Sequence, residues 1–184
     1  YEVIFVDDGS SDRSVTLLRE QFKQRAVVTR VILLAHNAGQ HMAILAGFAR
    51  ARGMYVVTLD ADLQNPPEEI AKLLAVMDGG ADYVGTVRVR RQDVWWRKSV
   101  SRFLNRMRER TTRIRIGDQG CMLRSYHRSI VDAINRCHEV STFVPALGYA
   151  FARNPVEIPV AHAERAAGES RYSLYRLIRL NFDL

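Results

Sequence analysis

Cysteine is scarce in this 184-residue chain. Its two cysteines, Cys121 and Cys137, form no CxxC pair and share no spacing with histidine that suits zinc. A disulfide framework and a zinc finger are therefore excluded, and both side chains read as buried reduced thiols of a cytoplasmic protein. Cys137-His138-Glu139 sets three potential ligands side by side, but adjacent side chains rarely converge on one ion. Long apolar runs are missing as well. None approaches the ~20 residues that cross a bilayer, and no secretory signal opens the chain. Internal repeats, low-complexity tracts and a domain-sized linker are also absent, so one domain is expected, with 47% apolar residues to fill its core. The ends are abrupt. Tyr1-Glu2 leads straight into a strand-like run and Asp183-Leu184 stops inside a helical pattern, so a piece of a longer protein is expected.

The net charge of +7 conceals an uneven distribution. Between Arg88 and Arg115 lie eleven of the 27 Lys/Arg residues against Asp93 and Glu109, a local +9. The other 16 basic and 18 acidic residues balance at −2. The positive charge is thus a local device aimed at an anionic partner: nucleic acid, phosphate groups or an acidic membrane surface. For nucleic acid the usual companions are missing. There is no RNP-type aromatic pattern, no Cys/His finger and no helix-turn-helix signal.

Elsewhere strands and helices alternate. Val3–Val6, Val27–Leu34, Tyr55–Leu59 and Asp82–Thr86 read as strands. Asp12–Gln24, Gln40–Arg52 and a stretch from Pro66-Pro67-Glu68-Glu69 to about Met77 read as helices. Ser11 or Asp12 caps the first, and proline and acids favour the start of the third. This alternation predicts an α/β fold, a mainly parallel sheet covered by helices on both faces. After Arg88, Trp96, Val100, Phe103, Leu104 and Met107 fall at helical spacing opposite Lys98, Arg102 and Arg106. A strand near Cys121–Leu123 and a helix over Tyr126–Arg136 are expected to follow.

Two strands end in acid. Val3–Val6 runs into Asp7-Asp8-Gly9-Ser10-Ser11-Asp12, and Tyr55–Leu59 runs into Asp60-Ala61-Asp62-Leu63-Gln64. In an extended segment Asp60, Asp62 and Gln64 would share one side and offer the oxygen atoms that Mg²⁺ or Mn²⁺ prefers while keeping positions open for phosphates. In a parallel sheet both acidic pairs lie at the carboxyl edge, where ligands bind. They are expected to be neighbours despite the fifty or so residues between them. A strand-end aspartate can also merely cap a helix, and for Asp12 that reading is preferred. A response-regulator receiver carries an acidic pair after its first strand too, but it needs an isolated phosphoacceptor and a lysine on later strands, where this chain has DADLQ.

DDGSSD and DADLQ together resemble the inverting family 2 glycosyltransferases of GT-A (Rossmann-like) fold. HNAGQHMAILAGF (36–48), RQD within 85–101, GDQGCMLRSY (117–126), CHEVSTFVP (137–145) and AERAAGESRYS (163–173) narrow the likeness to the polyprenyl-phosphate glycosyltransferases, nearest to those that transfer 4-deoxy-4-formamido-L-arabinose to undecaprenyl phosphate. That family opens with an additional strand and a Pro-x-Tyr-Asn-Glu turn and continues into two transmembrane helices. Neither is present here, so an incomplete catalytic domain over 1–184 is implied.

The resemblance implies a site. Asp8, with Asp7, lies toward the uracil or ribose of a UDP-sugar donor. Asp60 sits near the nucleotide, and Asp62 with Gln64 holds Mg²⁺ or Mn²⁺ on the diphosphate. Arg88, Arg97 and Ser101 bind the acceptor phosphate, the last two sharing a helix face, and Asp118 touches the donor sugar or steers the acceptor. Arg165, Ser170 and Arg171 close on the donor diphosphate. Residues 172–184 form a juxtamembrane amphipathic helix, and spare arginines meet anionic lipid. The implied location is the cytoplasmic face of a bacterial inner membrane, in lipid A modification and polymyxin resistance; a homo-oligomer is left open. His36, His41, His127 and His162 read as packing or turn residues, with His41 near the donor. Two other functions stay open at this stage: glucosyl or mannosyl transfer to a polyprenyl phosphate, and nucleic-acid binding through the basic segment.

Overall fold

The computed structural model describes residues 1–24, 29–62, 64–88, 116–118, 120–137 and 143–162. Two strands rich in β-branched and aromatic residues, β1 (Val3–Asp7) and β2 (Thr29–Leu33), pair in parallel with Val3 opposite Thr29 and Asp7 opposite Leu33. Helix α1 (Ser14–Gln24) connects them. Asp12 Oδ1 accepts the Ser14 N–H at 2.9 Å, the capping role expected of it. Helix α2 (Gln40–Phe48) follows β2 and packs against β1, where Gly47 lets it approach the Val6 side chain.

The second sheet has the order β3-β5-β4-β6. It contains β3 (Tyr55–Thr58), β4 (Tyr83–Arg88), β5 (Arg124–His127) and β6 (Pro155–Val160). Strand β5 is antiparallel to both β3 and β4, whereas β6 runs parallel to β4. Three of the four strands therefore point the same way, with β5 inserted against them. Between β3 and β4, a 3-10 turn (Pro67–Glu69) leads into α3 (Ile70–Asp78). Helices α4 (Arg128–Arg136) and α5 (Val144–Phe151) separate β5 from β6.

Helices cover both faces, because neighbouring residues on a strand point to opposite sides. On β4, Tyr83 joins Phe48, Tyr126, Ile130, Val131, Ile134 and Val144 on the side of α2, α4 and α5. Val84 joins Leu73, Met77, Cys121, Leu123 and Val160 on the side of α3. The first cluster is knit by edge-on rings: Phe48 to Tyr126 at 5.1 Å and Tyr126 to Tyr83 at 5.4 Å between centroids. Each such pair stabilises by about 0.5–1.5 kcal/mol beyond its burial.

The elements around β5 start later than expected. The strand foreseen at Cys121–Leu123 begins instead at Arg124, since the Met122 and Leu123 carbonyls accept the hydroxyls of Thr58 (2.5 Å) and Thr86 (2.7 Å). The helix foreseen from Tyr126 starts at Arg128, because Tyr126 and His127 are still paired with β3. His127 Nδ1 then accepts the Ser129 N–H as a cap. Among the described residues no helix is long and apolar enough to cross a membrane.

Candidate active site

The acidic end of β1 is fastened by backbone. Asp7 is buried, and its Oδ2 accepts the Ser10 N–H at 3.0 Å, which closes the turn. Asp8 reaches across to the loop that enters α2, with Oδ1 accepting from Ala38 N–H at 2.7 Å and Oδ2 from Gly39 N–H at 2.9 Å. The next residue, Gln40, opens α2 and donates through Nε2 to Asp60 Oδ1 at 2.7 Å. The two acidic strand ends are thus joined through residues 38–40. They are neighbours, as the sheet-edge argument required. Gln40 had no role in the sequence reading beyond its place in HNAGQH.

The DADLQ segment is not extended. It turns at Ala61–Asp62 and bends at Gln64–Asn65, so strand alternation does not align Asp60, Asp62 and Gln64. Instead the Gln64 N–H donates to Asp62 Oδ1 at 3.1 Å. Aspartate accepts readily from the backbone two residues on, and that local bond competes with strand geometry. The turn brings residues 62 and 64 together by a different route from the one expected. Among the described residues no three of His, Cys, Asp or Glu converge on one point. The carboxylate of Asp62 and the amide oxygen of Gln64 are donors of the type a hard cation takes when phosphates and water complete its shell.

Arg88 ends β4, and the chain brings Asp118 to it. Arg88 Nε donates to Asp118 Oδ2 at 2.6 Å and Nη2 donates to Oδ1 at 2.9 Å, a bidentate pair in which Asp118 is almost wholly buried. The Gly120 N–H also donates to Oδ1 at 3.1 Å. Asp118 therefore fixes the plane of the Arg88 guanidinium. Behind it lies Arg124, fully buried, which donates from Nε to the Cys121 carbonyl at 2.9 Å, from Nη2 to the Asp118 carbonyl and from Nη1 to the Tyr83 hydroxyl. Burial pushes the Tyr83 hydroxyl above the ordinary tyrosine value, against the opposing pull of Arg124, so it is a neutral phenol at pH 7. Cys121 Sγ lies 2.9 Å from Thr86 Oγ1 and 3.6 Å from Asn65 Oδ1, tying this loop to the end of DADLQN.

His41 follows Gln40 in the first turn of α2 and sets its ring edge-on to Phe143, with centroids 5.1 Å apart. Burial lowers its pKa, and its buried Nδ1 has no hydrogen-bond partner among the described residues. Arg97, Ser101, Arg165, Ser170 and Arg171, together with the helices expected over 96–107 and 172–184, lie outside the described residues.

The sequence model of glycosyl transferase family 2 matches residues 1–134. The chain belongs to that family. Among curated relatives of this family 2 chain, an undecaprenyl-phosphate 4-deoxy-4-formamido-L-arabinose transferase from Enterobacter sp. (strain 638) is 55% identical over all 184 residues; the chain spans 56% of that relative's length. The family fold recurs in crystal structures of GT-A glycosyltransferases. Glucosyl-3-phosphoglycerate synthase from Mycobacterium tuberculosis, in complex with phosphoglyceric acid, has a TM-score of 0.59 at 15% identity, over 98% of this chain and 65% of that one. A mannosyltransferase from Pyrobaculum calidifontis, in complex with GDP-Man and Mn²⁺, has a TM-score of 0.58 at 18% identity, over 98% and 51%. The likeness of DDGSSD and DADLQ to family 2, and the α/β GT-A architecture that it implied, both hold.

Proposed function

We propose that this family 2 glycosyltransferase chain is the catalytic domain of an inverting, metal-dependent enzyme. It moves 4-deoxy-4-formamido-L-arabinose from UDP to undecaprenyl phosphate. The observation that carries this reading is the 55% identity, over the whole chain, to a transferase of that name. The linked acidic strand ends and the oriented arginine support it.

Asp7 and Asp8 hold the turn and loop that face the uracil or ribose; both Asp8 oxygens already accept one N–H and each keeps a second lone pair. Asp60 stands beside the nucleotide, positioned by Gln40. Asp62, with Gln64, would hold Mg²⁺ or Mn²⁺, which offsets the charge of the departing diphosphate. The mannosyltransferase of the same fold was crystallised with Mn²⁺. Arg88, its guanidinium plane set by Asp118, binds the acceptor phosphate, and Arg97 and Ser101 add to that site. Arg165, Ser170 and Arg171 close over the diphosphate.

A phosphomonoester has a second pKa near 6, so the lipid phosphate is largely a dianion at pH 7 and attacks without a protein base. Its oxygen forms the new bond to C1 as the C1–O bond to UDP breaks, and UDP leaves with the electron pair from the opposite face. In-line displacement inverts C1. Asp118 orients Arg88 for this alignment and removes no proton. Residues 172–184 and the basic 88–115 segment rest against anionic lipid on the cytoplasmic face of the inner membrane, and the lipid product serves lipid A modification and polymyxin resistance.

The test is transfer by the whole protein in membranes, with UDP-4-formamido-arabinose, UDP-glucose and GDP-mannose offered separately alongside undecaprenyl phosphate and Mn²⁺. Lipid-linked formamido-arabinose alone, lost in Asp62→Asn, is the expected result. Glucose or mannose transfer would discard the sugar, and folded protein with no transfer from any donor would discard the reading.

A further inference from the structure

We infer that Arg124 is a positioning residue for the acceptor side of the site and that Glu157 is its surface counterpart. Together they hold the backbone at residues 117, 118 and 121 and through it the Arg88–Asp118 pair. This rests on the reading of Arg88 as a phosphate ligand.

The described residues 116–118, 120 and 121 form neither helix nor strand, yet they carry the carboxylate that aims Arg88. Something else must fix them. Arg124 lies on β5, the strand inserted between β3 and β4, and none of its surface is exposed. Its hydrogen-bond partners among the described residues are two backbone carbonyls, of Asp118 and Cys121, and the neutral Tyr83 hydroxyl. Among the described residues no carboxylate forms an ion pair with it. Burying a guanidinium in this way is costly, and arginine does not escape the cost by losing its proton. What the burial secures is a rigid fork that pins two carbonyls three residues apart.

The loop is also held by Glu157, an exposed residue of β6, whose Oε1 accepts the Gly117 N–H at 2.8 Å. The packing is tight at both points. A Cβ at residue 117 would stand 2.8 Å from Glu157 Oε2 and 3.1 Å from Val87 Cγ2, and one at residue 120 would stand 2.9 Å from Arg88 Nη2. A Cβ at residue 85, between the two anchors, would meet Arg124 Nη1 at 3.2 Å and Glu157 Cγ at 3.4 Å. The glycines of GDQG leave room for this arrangement: a Cβ at 117 or 120 would displace the tip of Glu157 or of Arg88, the side chains on which the loop's order depends. Residues 117, 118 and 121 are each tied, and Asp118 passes that order on to Arg88.

The experiment compares Arg124→Lys, Glu157→Ala and Glu157→Gln in the whole protein in membranes. It reads the KM for undecaprenyl phosphate, the KM for the UDP-sugar, and amide exchange over residues 116–121. Arg124→Lys and Glu157→Ala are expected to speed exchange over 116–121 and raise the acceptor KM by about tenfold, with the donor KM within about twofold of wild type. Glu157→Gln keeps an oxygen for the Gly117 N–H and is expected to restore both values. Unchanged exchange in both damaging variants overturns the anchoring, and faster exchange with an unchanged acceptor KM overturns its role in the site. Gln as damaging as Ala would mean that charge, not the hydrogen bond, is at work, and would also overturn it. Should Arg124→Lys fail to fold, the exposed Glu157 pair decides alone. If the wild type transfers no sugar to the lipid, the acceptor role falls with the proposed function, while exchange still decides whether the loop is anchored.

Discussion

Replacing Gly9 by alanine attacks the DDGS turn at its tightest point. Gly9 has φ of +71°, and a Cβ there would lie 2.6 Å from the His36 carbonyl carbon and 2.7 Å from the Asn37 nitrogen. Left-handed geometry costs an L-residue about 1–2 kcal/mol. The contact adds more, because backbone cannot swing aside as a side-chain tip can. Restoring an ordinary 3.4 Å separation moves the two loops apart by about 0.8 Å. The Asp8 bonds to Ala38 and Gly39, now 2.7 and 2.9 Å, span the same gap, so at least one would pass beyond hydrogen-bonding range. A bond to a charged group contributes about 1.5–3 kcal/mol, which brings the expected loss of stability to about 3–5 kcal/mol. Denaturant unfolding of Gly9→Ala, Asp8→Asn and the double variant measures it. Since both changes break the same link, the double variant should be less destabilised than the sum by about 1 kcal/mol or more. A loss below about 1 kcal/mol for Gly9→Ala, or strict additivity, would refute the reasoning.

Asp118→Asn removes the charge that orients Arg88; stability should fall by about 1–3 kcal/mol, less than for a fully buried pair because Arg88 can turn to solvent, and the acceptor KM should rise more than the donor KM. Gly148→Ala would place a Cβ 2.6 Å from Tyr126 Cε1 and 2.9 Å from Tyr83 Cε2, both on buried rings; overpacking of this kind costs about 1–3 kcal/mol, visible as a lowered Tm. Burial holds the His41 imidazole below its ordinary pKa, so as pH falls the unfolded chain takes up that proton first. The associated stability is complete above the unfolded value of about 6.5 and is lost below it, by at most ~1.4 kcal/mol per pH unit. His41→Gln should show a flatter stability profile than wild type between pH 5 and about 6.5, and an unchanged difference across that window would count against the burial argument.

The first half of the fold was legible because each strand there is a short apolar run closed by turn residues, and the first and third helices have their own start signals. Val3-Ile4-Phe5-Val6 and Tyr55-Val56-Val57-Thr58 announce themselves in this way. Strand β5 does not. Arg124-Ser125-Tyr126-His127 has no apolar run, and its residues are buried for individual reasons: Arg124 by carbonyls, Tyr126 by the rings of Phe48 and Tyr83. No periodicity encodes an arginine at the centre of a sheet, so the strand was placed on the apolar Cys121–Leu123 instead. Helix α5 and strand β6 did leave signals that went unread: Pro145 in a first turn, and Val156, Ile158 and Val160 at alternate positions.

The candidate site divides along the same line. Carboxylates that act at strand ends were visible, since acid after an apolar run is improbable unless something compensates for it. Their proximity was expected from a shared sheet edge, but β1 and β3 lie in different sheets and residues 38–40 join their ends. What compensates for them was not visible. Asp8 is held by backbone N–H groups some thirty residues away, Asp60 by Gln40, and Asp118 by Arg88. A backbone donor has no letter in the sequence, and Gln40 and Glu157 are ordinary polar residues until the fold gives them a partner. The same limit explains the error at DADLQ. Spacing specifies which side chains would share a face if the segment were extended, but the bond from Gln64 N–H to Asp62 is local, needs no neighbour strand, and turns the chain before alternation can apply. Residues that bind by charge are therefore recoverable from order along the chain. Residues that aim them, as Arg124 and Glu157 aim Asp118, emerge only when carbonyl and N–H groups have positions.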